Sequence, residues 1–432
     1  MKEERCRRCL CIVFTMLFAL LLLFSCSSTF AMTLEDALSL SKETLPSYKA
    51  SELKVRSSEQ LSKASLGPFF PSIDATAQWD RHYTAIGDFP TQDYILTAQY
   101  TIFDGGKRRA NRGIALTTFD TDREEMRKTL FDLTYNVKAA FYTVIAQKDI
   151  VEQRNIQLQN AQKTFEVAEG RYRYGVAKLS DVLQASVRLE QSRFSVIQSE
   201  GDLKKAFSDL NSLIGKPLER SYEIEGSLDL VLMLPERERL FEYAVGRPEI
   251  RQAENAVKVM RFNRSLAGSA FYPVFNASAS YQNTSGGLRA VAVGGPAVQE
   301  DKILGITATW NLFELGKFFR HTSSKFDELT ALESLYEAKR LLMLDVNKAC
   351  EDFITASNQL KVAQEQVKQA DYNYSQAFAE YKVGTGDILS LVQAETLLSS
   401  AREQLVGSRL TLVLTKSLIE RITGIERLES LR

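Results

Sequence analysis

The 432-residue chain is poor in cysteine, histidine, proline and net charge. Four of its five cysteines lie in the first 26 positions, so a processed, exported chain cannot be an intramolecular disulfide scaffold. Two histidines leave no material for a histidine-rich metal centre. With 54 basic and 54 acidic side chains, the sequence lacks the basic excess that neutralises nucleic-acid phosphates. Beyond the amino terminus no segment approaches the ~20 apolar residues of a membrane-spanning helix; the best, Leu228 to Leu234, is far too short. Any membrane span must therefore be made of strands. The nine prolines avoid the stretch between Pro90 and Pro217 and everything after Pro296. From Lys317 to Val383 there is neither proline nor glycine, and a helix of that length would extend on the order of 100 Å.

Residues 1–31 have the layout of a secretory signal. Arg5, Arg7 and Arg8 form a basic start, Ile12 to Phe24 an apolar core, and Thr29-Phe30-Ala31 a small-residue cleavage site. A second reading is lipidation at Cys26, because Leu23-Phe24-Ser25-Cys26 loosely resembles a lipobox. Phe24 is bulky for that motif, which favours cleavage after Ala31.

Length alone suggests about three compact domains, but the chain is written twice. Phe70-Pro71-Ser72-Ile73-Asp74-Ala75 recurs as Tyr272-Pro273-Val274-Phe275-Asn276-Ala277. Phe103-Asp104-Gly105-Gly106-Lys107 recurs as Phe313-Glu314-Leu315-Gly316-Lys317, and Tyr172-Arg173-Tyr174-Gly175 as Tyr381-Lys382-Val383-Gly384. Leu213-Ile214-Gly215 recurs as Ile422-Thr423-Gly424. Landmarks that keep their order mark an internal duplication. The expected layout is a first repeat over 32–215, a linker over 216–247 containing Pro217 and Pro235, and a second repeat over 248–432.

Each repeat carries two alternating segments, about 72–103 in the first and about 274–313 in the second. Ile73, Ala75, Ala77, Trp79 and Tyr83 share one face, interrupted by Arg81, against Ser72, Asp74, Thr76, Gln78, Asp80 and His82 on the other. Tyr94, Leu96, Ala98, Tyr100 and Ile102 follow, and the second repeat answers with Phe275, Ala277, Ala279 and Tyr281, then Leu304, Ile306, Ala308, Trp310 and Leu312. Period-two alternation over about ten residues fits a barrel strand with one lipid face and one wet face. A half-buried soluble sheet shows the same alternation. Four strands cannot close a barrel, and an open edge in lipid leaves backbone groups without partners. Strands of this kind in a membrane require several chains to share one barrel, at least two if eight strands is the minimum.

Long helices are expected over about 107–174 and 317–383, with return helices over about 180–214 and 387–423. The second long helix repeats apolar or small residues at alternating spacings of four and three, through Leu342, Val346, Ala349, Phe353, Ala356, Leu360 and Ala363 to Tyr381. That is the seam of a coiled coil. The first long helix has a similar seam, broken by Gln147 and Arg154. The return helices carry matching seams, through Ala185, Leu189 and Val196 and through Leu391, Ala394 and Leu398. They are shorter than their long partners by nearly half, and single helices over Thr33–Leu66 and Glu236–Leu266 are available to cover the remaining length.

This order of elements, with its local motifs, resembles the TolC-type outer-membrane efflux family across essentially all of the mature chain. The residues that carry the resemblance are Thr33-Leu34-Glu35-Asp36-Ala37-Leu38, Arg247-Pro248-Glu249-Ile250 and Phe103-Asp104-Gly105-Gly106, with the turns Arg171-Tyr172-Arg173-Tyr174-Gly175 and Tyr381-Lys382-Val383-Gly384-Thr385-Gly386. The resemblance implies a mainly α fold with membrane β-strands. In it a homotrimer pools twelve strands in an outer-membrane barrel, continued into the periplasm by an antiparallel coiled-coil α-helical barrel. It implies as partners a periplasmic adaptor and an inner-membrane efflux pump or ABC exporter, docked where Arg171, Tyr172, Gly175, Tyr381, Gly384 and Gly386 shape a gate lined by Asp181 and Asp387. A threefold ring of carboxylates there would favour cations. Some members carry further acids after the second turn, where this chain has Ser390 and Gln393. Two plainer readings stay open: Asp181 and Asp387 as helix caps, and turn tyrosines that only pack.

Enzyme motifs are missing. Gly316-Lys317 lacks the remainder of a P-loop, and Gly384-Thr385-Gly386 lacks the third glycine of a dinucleotide fingerprint. His82 and His321 have no partner at metal spacing. Cys350, beside seam residue Ala349, reads as a packed thiol, and Asn276-Ala277-Ser278 as an incidental glycosylation triplet inside a strand. The expectation is a protein without cofactor, metal or catalytic residue. Two function classes remain, a passive transport duct for efflux or type I secretion and a periplasmic coiled-coil spacer. Aromatic lipid-type faces opposite wet ones favour the duct.

Overall fold

A computed structural model describes residues 31–85, 87–229, 234–287 and 298–425. Apart from Ala31, the expected signal segment lies outside the described residues, and Cys26 with it. The chain is mainly helical with one four-stranded sheet. In order it runs α1 (Leu34–Thr44), α2 (Pro46–Ala64), a 3-10 turn (Gly67–Phe69), β1 (Ser72–Thr84), β2 (Gly87–Phe103), α3 (Lys107–Arg173) and α4 (Leu179–Ile214). The second half follows with α5 (Arg237–Ala244), α6 (Pro248–Ser269), β3 (Val274–Gly286), β4 (Val298–Thr309), α7 (Leu315–Val383) and α8 (Ile388–Thr423).

The proline-free stretches are α3 and α7, helices of 67 and 69 residues, each followed by a return helix of 36. The two short helical segments differ from expectation. Each reads in the sequence as one helix, and each is split at a proline. Leu45 before Pro46 and Arg247 before Pro248 take extended backbone, with ψ of 120° and 150°. The proline ring disfavours helical geometry at the preceding residue, so each proline opens a new helix.

The chain divides into two compact units, each drawing on both halves of the sequence. One unit comprises Leu45–Tyr135, Leu232–Thr355 and Thr415–Arg432. It holds the sheet, whose strands pair antiparallel in the order β1-β2-β3-β4. The register places Ile73 opposite Ala98, Ala98 opposite Ala279, and Ala279 opposite Leu304, a row across the apolar face. One residue along, Asp74, Thr97, Ser280 and Ile303 make a row on the wet face. On that wet face Thr101 donates to Asn276 at 2.9 Å across β2 and β3, and His82 meets Thr91 at 3.0 Å across β1 and β2. Ile73, Trp79, Tyr94, Leu96, Leu304 and Ile306 stand exposed on the apolar face. β1 and β4 are open edges. Among the described residues no helix is long and apolar enough to cross a membrane. Along α7 in this unit, the seam residues Leu342, Val346, Ala349 and Phe353 are buried, with Cys350 beside them. Burial pushes the Cys350 thiol up, as suits a packed side chain.

The other unit comprises the described part of the segment ending at Thr44, Asn136–Val231 and Ala356–Leu414. Met32 forms a parallel bridge with Ile224, so the start of the described chain is tied to the segment between the halves. Gly215 closes α4 in left-handed backbone (φ 69°), with Thr44 at the end of α1 so close that an added Cβ would lie 2.6 Å from it. Glycine is the residue that meets both demands. The turn ends of the two hairpins, α3/α4 and α7/α8, come together in this unit.

Candidate gate at the hairpin turns

Both turns are built on glycine. Gly175 (φ 72°) donates to the Tyr172 carbonyl at 2.9 Å, and Val176 to the Arg171 carbonyl at 2.9 Å. In the second turn Gly384 (φ 94°), Thr385 and Gly386 all direct their N–H groups at the Glu380 carbonyl, each at 3.0 Å. Left-handed backbone is nearly strain-free for glycine alone. Gly386 has a different reason: a Cβ there would lie 3.1 Å from the Glu380 side chain and the Tyr381 nitrogen.

Arg171 joins the turns. Its guanidinium donates to the Tyr381 carbonyl, lies 4.6 Å from the Tyr381 ring centroid and reaches the Val176 carbonyl at 3.5 Å. Tyr381 is only 1% exposed and sits in a core with Ala168 of α3, Ala185 of α4, and Ile388 and Leu391 of α8. Burial and the nearby Asp181 push its hydroxyl pKa up, against the opposing pull of Arg171. Tyr172 is half exposed, and Tyr174 stands 87% exposed. Of the two expected tyrosines, then, Tyr381 is a packed core residue and Tyr172 faces outward.

The two acids differ as well. Asp387 precedes α8 and accepts from the Ser390 N–H at 2.8 Å and the Ser390 hydroxyl at 3.2 Å. These bonds hold its carboxyl below the usual carboxylate range. It is a helix cap. Asp181 lies in the first turn of α4, whose N-cap position is Lys178, and makes no such cap. It is half-buried and faces Tyr381.

Sequence reasoning missed the polar contacts that join the hairpins further from the turns. Arg188 of α4 donates through Nε to Glu395 of α8 at 3.2 Å, with the Glu395 side chain buried and that of Arg188 largely so. Ser399 of α8 donates to Gln157 of α3 at 2.7 Å, and Arg154 pairs with Glu403. Within the second hairpin Arg402 meets Asp371 at 3.1 Å. One signal was available: Arg154, which breaks the seam of α3, does so to reach Glu403. Burial pushes the Glu395 carboxyl up despite the Arg188 charge. It also pushes Tyr374 of α7 up to about 12, with Glu395 adding to the rise.

Known proteins share this architecture. The chain is 22% identical over 354 residues to the toluene efflux pump outer membrane protein TtgC of Pseudomonas putida, covering 79% of this chain and 72% of that protein. It is 23% identical over 383 residues to the pyoverdine export outer membrane protein OpmQ of Pseudomonas aeruginosa, covering 84% and 78%. The solved structure of the outer membrane protein VceC of Vibrio cholerae superposes with a TM-score of 0.78 at 17% identity, over 90% of this chain and 96% of that one. The sequence profile of the outer membrane efflux protein family matches residues 37–216 and 242–424. The chain belongs to that family of outer-membrane efflux channels, which are passive transporters and not enzymes.

Proposed function

We propose that three copies of this chain form the outer-membrane exit duct of a tripartite efflux or type I secretion system. The carrying observation is the sheet: four antiparallel strands, an exposed apolar face, a hydrogen-bonded wet face and two open edges. In lipid each edge must find a partner strand, and the β4 edge of one copy pairing with the β1 edge of the next supplies it. Twelve strands, four from each of three chains, close the barrel. The helices continue it in the periplasm, and residues 32–215 and 248–432 act as two structural repeats joined by 216–247. The duct is passive: no nucleotide motif is present, so energy comes from an inner-membrane pump or ABC exporter reached through a periplasmic adaptor. TtgC and OpmQ are named for pump and export systems, which supports such partners.

The adaptor docks on the turns, at Arg171, Tyr172, Gly175, Gly384 and Gly386, with Tyr381 as the packed pivot. Asp181 and Asp387 stand at the aperture, and Asp387 also caps its helix. The mature chain begins after Ala31, which mass measurement of the purified amino terminus checks against a lipid on Cys26. The main test is fractionation and gel analysis, followed by planar-bilayer recording. A heat-sensitive trimer in the outer membrane that conducts ions is expected. A soluble, extended monomer would overturn the duct and leave the coiled-coil spacer.

A further inference from the structure

Two cations stand on the apolar face of the sheet, one on each open edge. Arg81 of β1 alternates with Ala77, Trp79 and Tyr83, and Lys302 of β4 shares a row with Ala75, Leu96 and Tyr281. Both are exposed, Arg81 lying 5.6 Å from the Tyr83 ring centroid and Lys302 5.9 Å from that of Tyr281. Among the described residues neither forms an ion pair. The carboxylates of this face, Asp88 and Glu300, stand nearer the strand ends that lead away from the helices. Towards the helix end, Ile73, Leu96, Ala98, Ala279, Tyr281 and Leu304 line an apolar hollow with Lys302 at its edge. A cation on a lipid face is costly at the bilayer midplane and nearly free at the surface, where a long side chain can carry its charge. Cation above and hollow below suit an amphiphile with an anionic head.

The internal repeat indicates which side chains meet where β4 of one copy joins β1 of the next. The β1–β2 register recurs residue for residue in β3–β4: Ser72 opposite Gln99 and Ile73 opposite Ala98 become Val274 opposite Thr309 and Phe275 opposite Ala308. Carried over in the same way, the β2–β3 register gives the seam between copies. Leu96 opposite Tyr281 becomes Ile306 opposite Trp79, Tyr94 opposite Asn283 becomes Leu304 opposite Arg81, and Gln92 opposite Ser285 becomes Lys302 opposite Tyr83. This register keeps the apolar face continuous across the seam, as a closed barrel requires. Arg81 of one copy and Lys302 of the next are then diagonal neighbours, with backbones about 7–8 Å apart. We infer that each seam between copies binds an outer-leaflet lipid with a phosphate-bearing headgroup, its phosphate between Arg81 and Lys302 and an acyl chain in the hollow. Guanidinium and ammonium groups both bond phosphate oxygens strongly. Tyr83 and Tyr281 flank the head, at the level where aromatic side chains gather in membrane barrels. The inference rests on the duct reading, for which it names the lipid held at the subunit seams.

The chain's two tryptophans supply the readout. Trp79 lies two residues from Arg81 on the same face, and Trp310→Phe leaves it as the only emitter. Full-length W310F trimers are placed in phosphatidylcholine bilayers, and quenching by brominated phosphatidic acid is compared with quenching by brominated phosphatidylcholine. Each cation near an anionic lipid surface strengthens binding about fivefold, so phosphatidic acid should be preferred about 30-fold. Arg81→Gln or Lys302→Gln should each leave a preference of about fivefold, and R81Q/K302Q should leave none, with quenching by phosphatidylcholine unchanged. Added inorganic phosphate should not compete, having no chain for the hollow; loss of the preference would overturn the lipid and leave an anion site. R81C/L304C should link copies covalently on oxidation, since opposed Cα atoms of an antiparallel pair lie about 4.5–5.5 Å apart. Linkage through W79C/L304C in its place would overturn the register and the site. Heat-sensitive trimers without lipid preference would overturn the site and leave the duct intact. A chain that forms no trimer in the bilayer would overturn the duct, and the seam site with it.

Discussion

Arg171 reaches from the first turn to the second, so its removal should loosen the gate without unfolding a helix. Arg171→Ala deletes a charged hydrogen bond to the Tyr381 carbonyl and a cation–π contact with a ring centroid 4.6 Å away. A hydrogen bond to a charged group contributes about 1.5–3 kcal/mol, and a partly exposed cation–π contact about 0.5–1 kcal/mol. The Tyr381 carbonyl is not orphaned by the loss, because the Gly384 N–H also reaches it at 3.2 Å. The lower part of the range therefore applies, about 2 kcal/mol in total. Since about 1.4 kcal/mol is a factor of ten, the opened population should rise about 30-fold. Single-channel recording reads this as more frequent opening with unchanged open conductance, and hydrogen exchange at Gly384 to Gly386 should accelerate by a similar factor. Arg171→Lys should fall between, keeping the charge over the ring but losing the planar fork. Opening and exchange at parental rates in Arg171→Ala would refute the clamp.

Phe353→Ala removes a seam side chain that is 4% exposed on α7 and should cost about 3–5 kcal/mol, seen as a lower denaturant midpoint. Asp387 has two proposed jobs, which substitutions separate. Asp387→Asn keeps an N-cap acceptor without the charge, whereas Asp387→Ala removes both. Lower cation preference in both variants would establish the carboxylate ring, while altered gating in the alanine variant alone would leave only the cap. The pH response of closure follows from Glu395, faced by Arg188 on α4 and by Tyr374 on α7, which itself bonds the uncharged Thr164 on α3. Tyr374, pushed up to about 12, stays neutral throughout. The Glu395 carboxyl holds its proton more strongly in the closed arrangement than when exposed, so closing takes up protons. Closure should be strongest below the ordinary glutamate value of 4.5 and weaken as pH rises through the raised one. R188M/E395L, which lacks both groups, should show a flat response over that interval.

Elements whose signal is periodic are legible in the sequence itself. The four-and-three spacing of α7 and the alternation of Ile73, Ala75, Ala77 and Trp79 each encode a face, and a face is what packing or lipid requires. The breaks at Pro46 and Pro248 are legible in principle, since a residue before proline is pushed out of helical geometry, but an otherwise continuous helical pattern masks them. The polar links are hidden for a deeper reason. On a helix read alone, Arg188 beside Leu189 and Glu395 beside Ala394 look like solvated positions flanking a seam. Their burial depends on a second hairpin brought alongside, and α8 lies some two hundred residues further along the chain than α4. A seam states that a helix has a partner; it does not state how many. Where two hairpins pack together, the flanking positions become a second interface. A charge there is then paired with one opposite, as Arg154 is with Glu403, or left partly unmet, as in the Arg188–Glu395 pair.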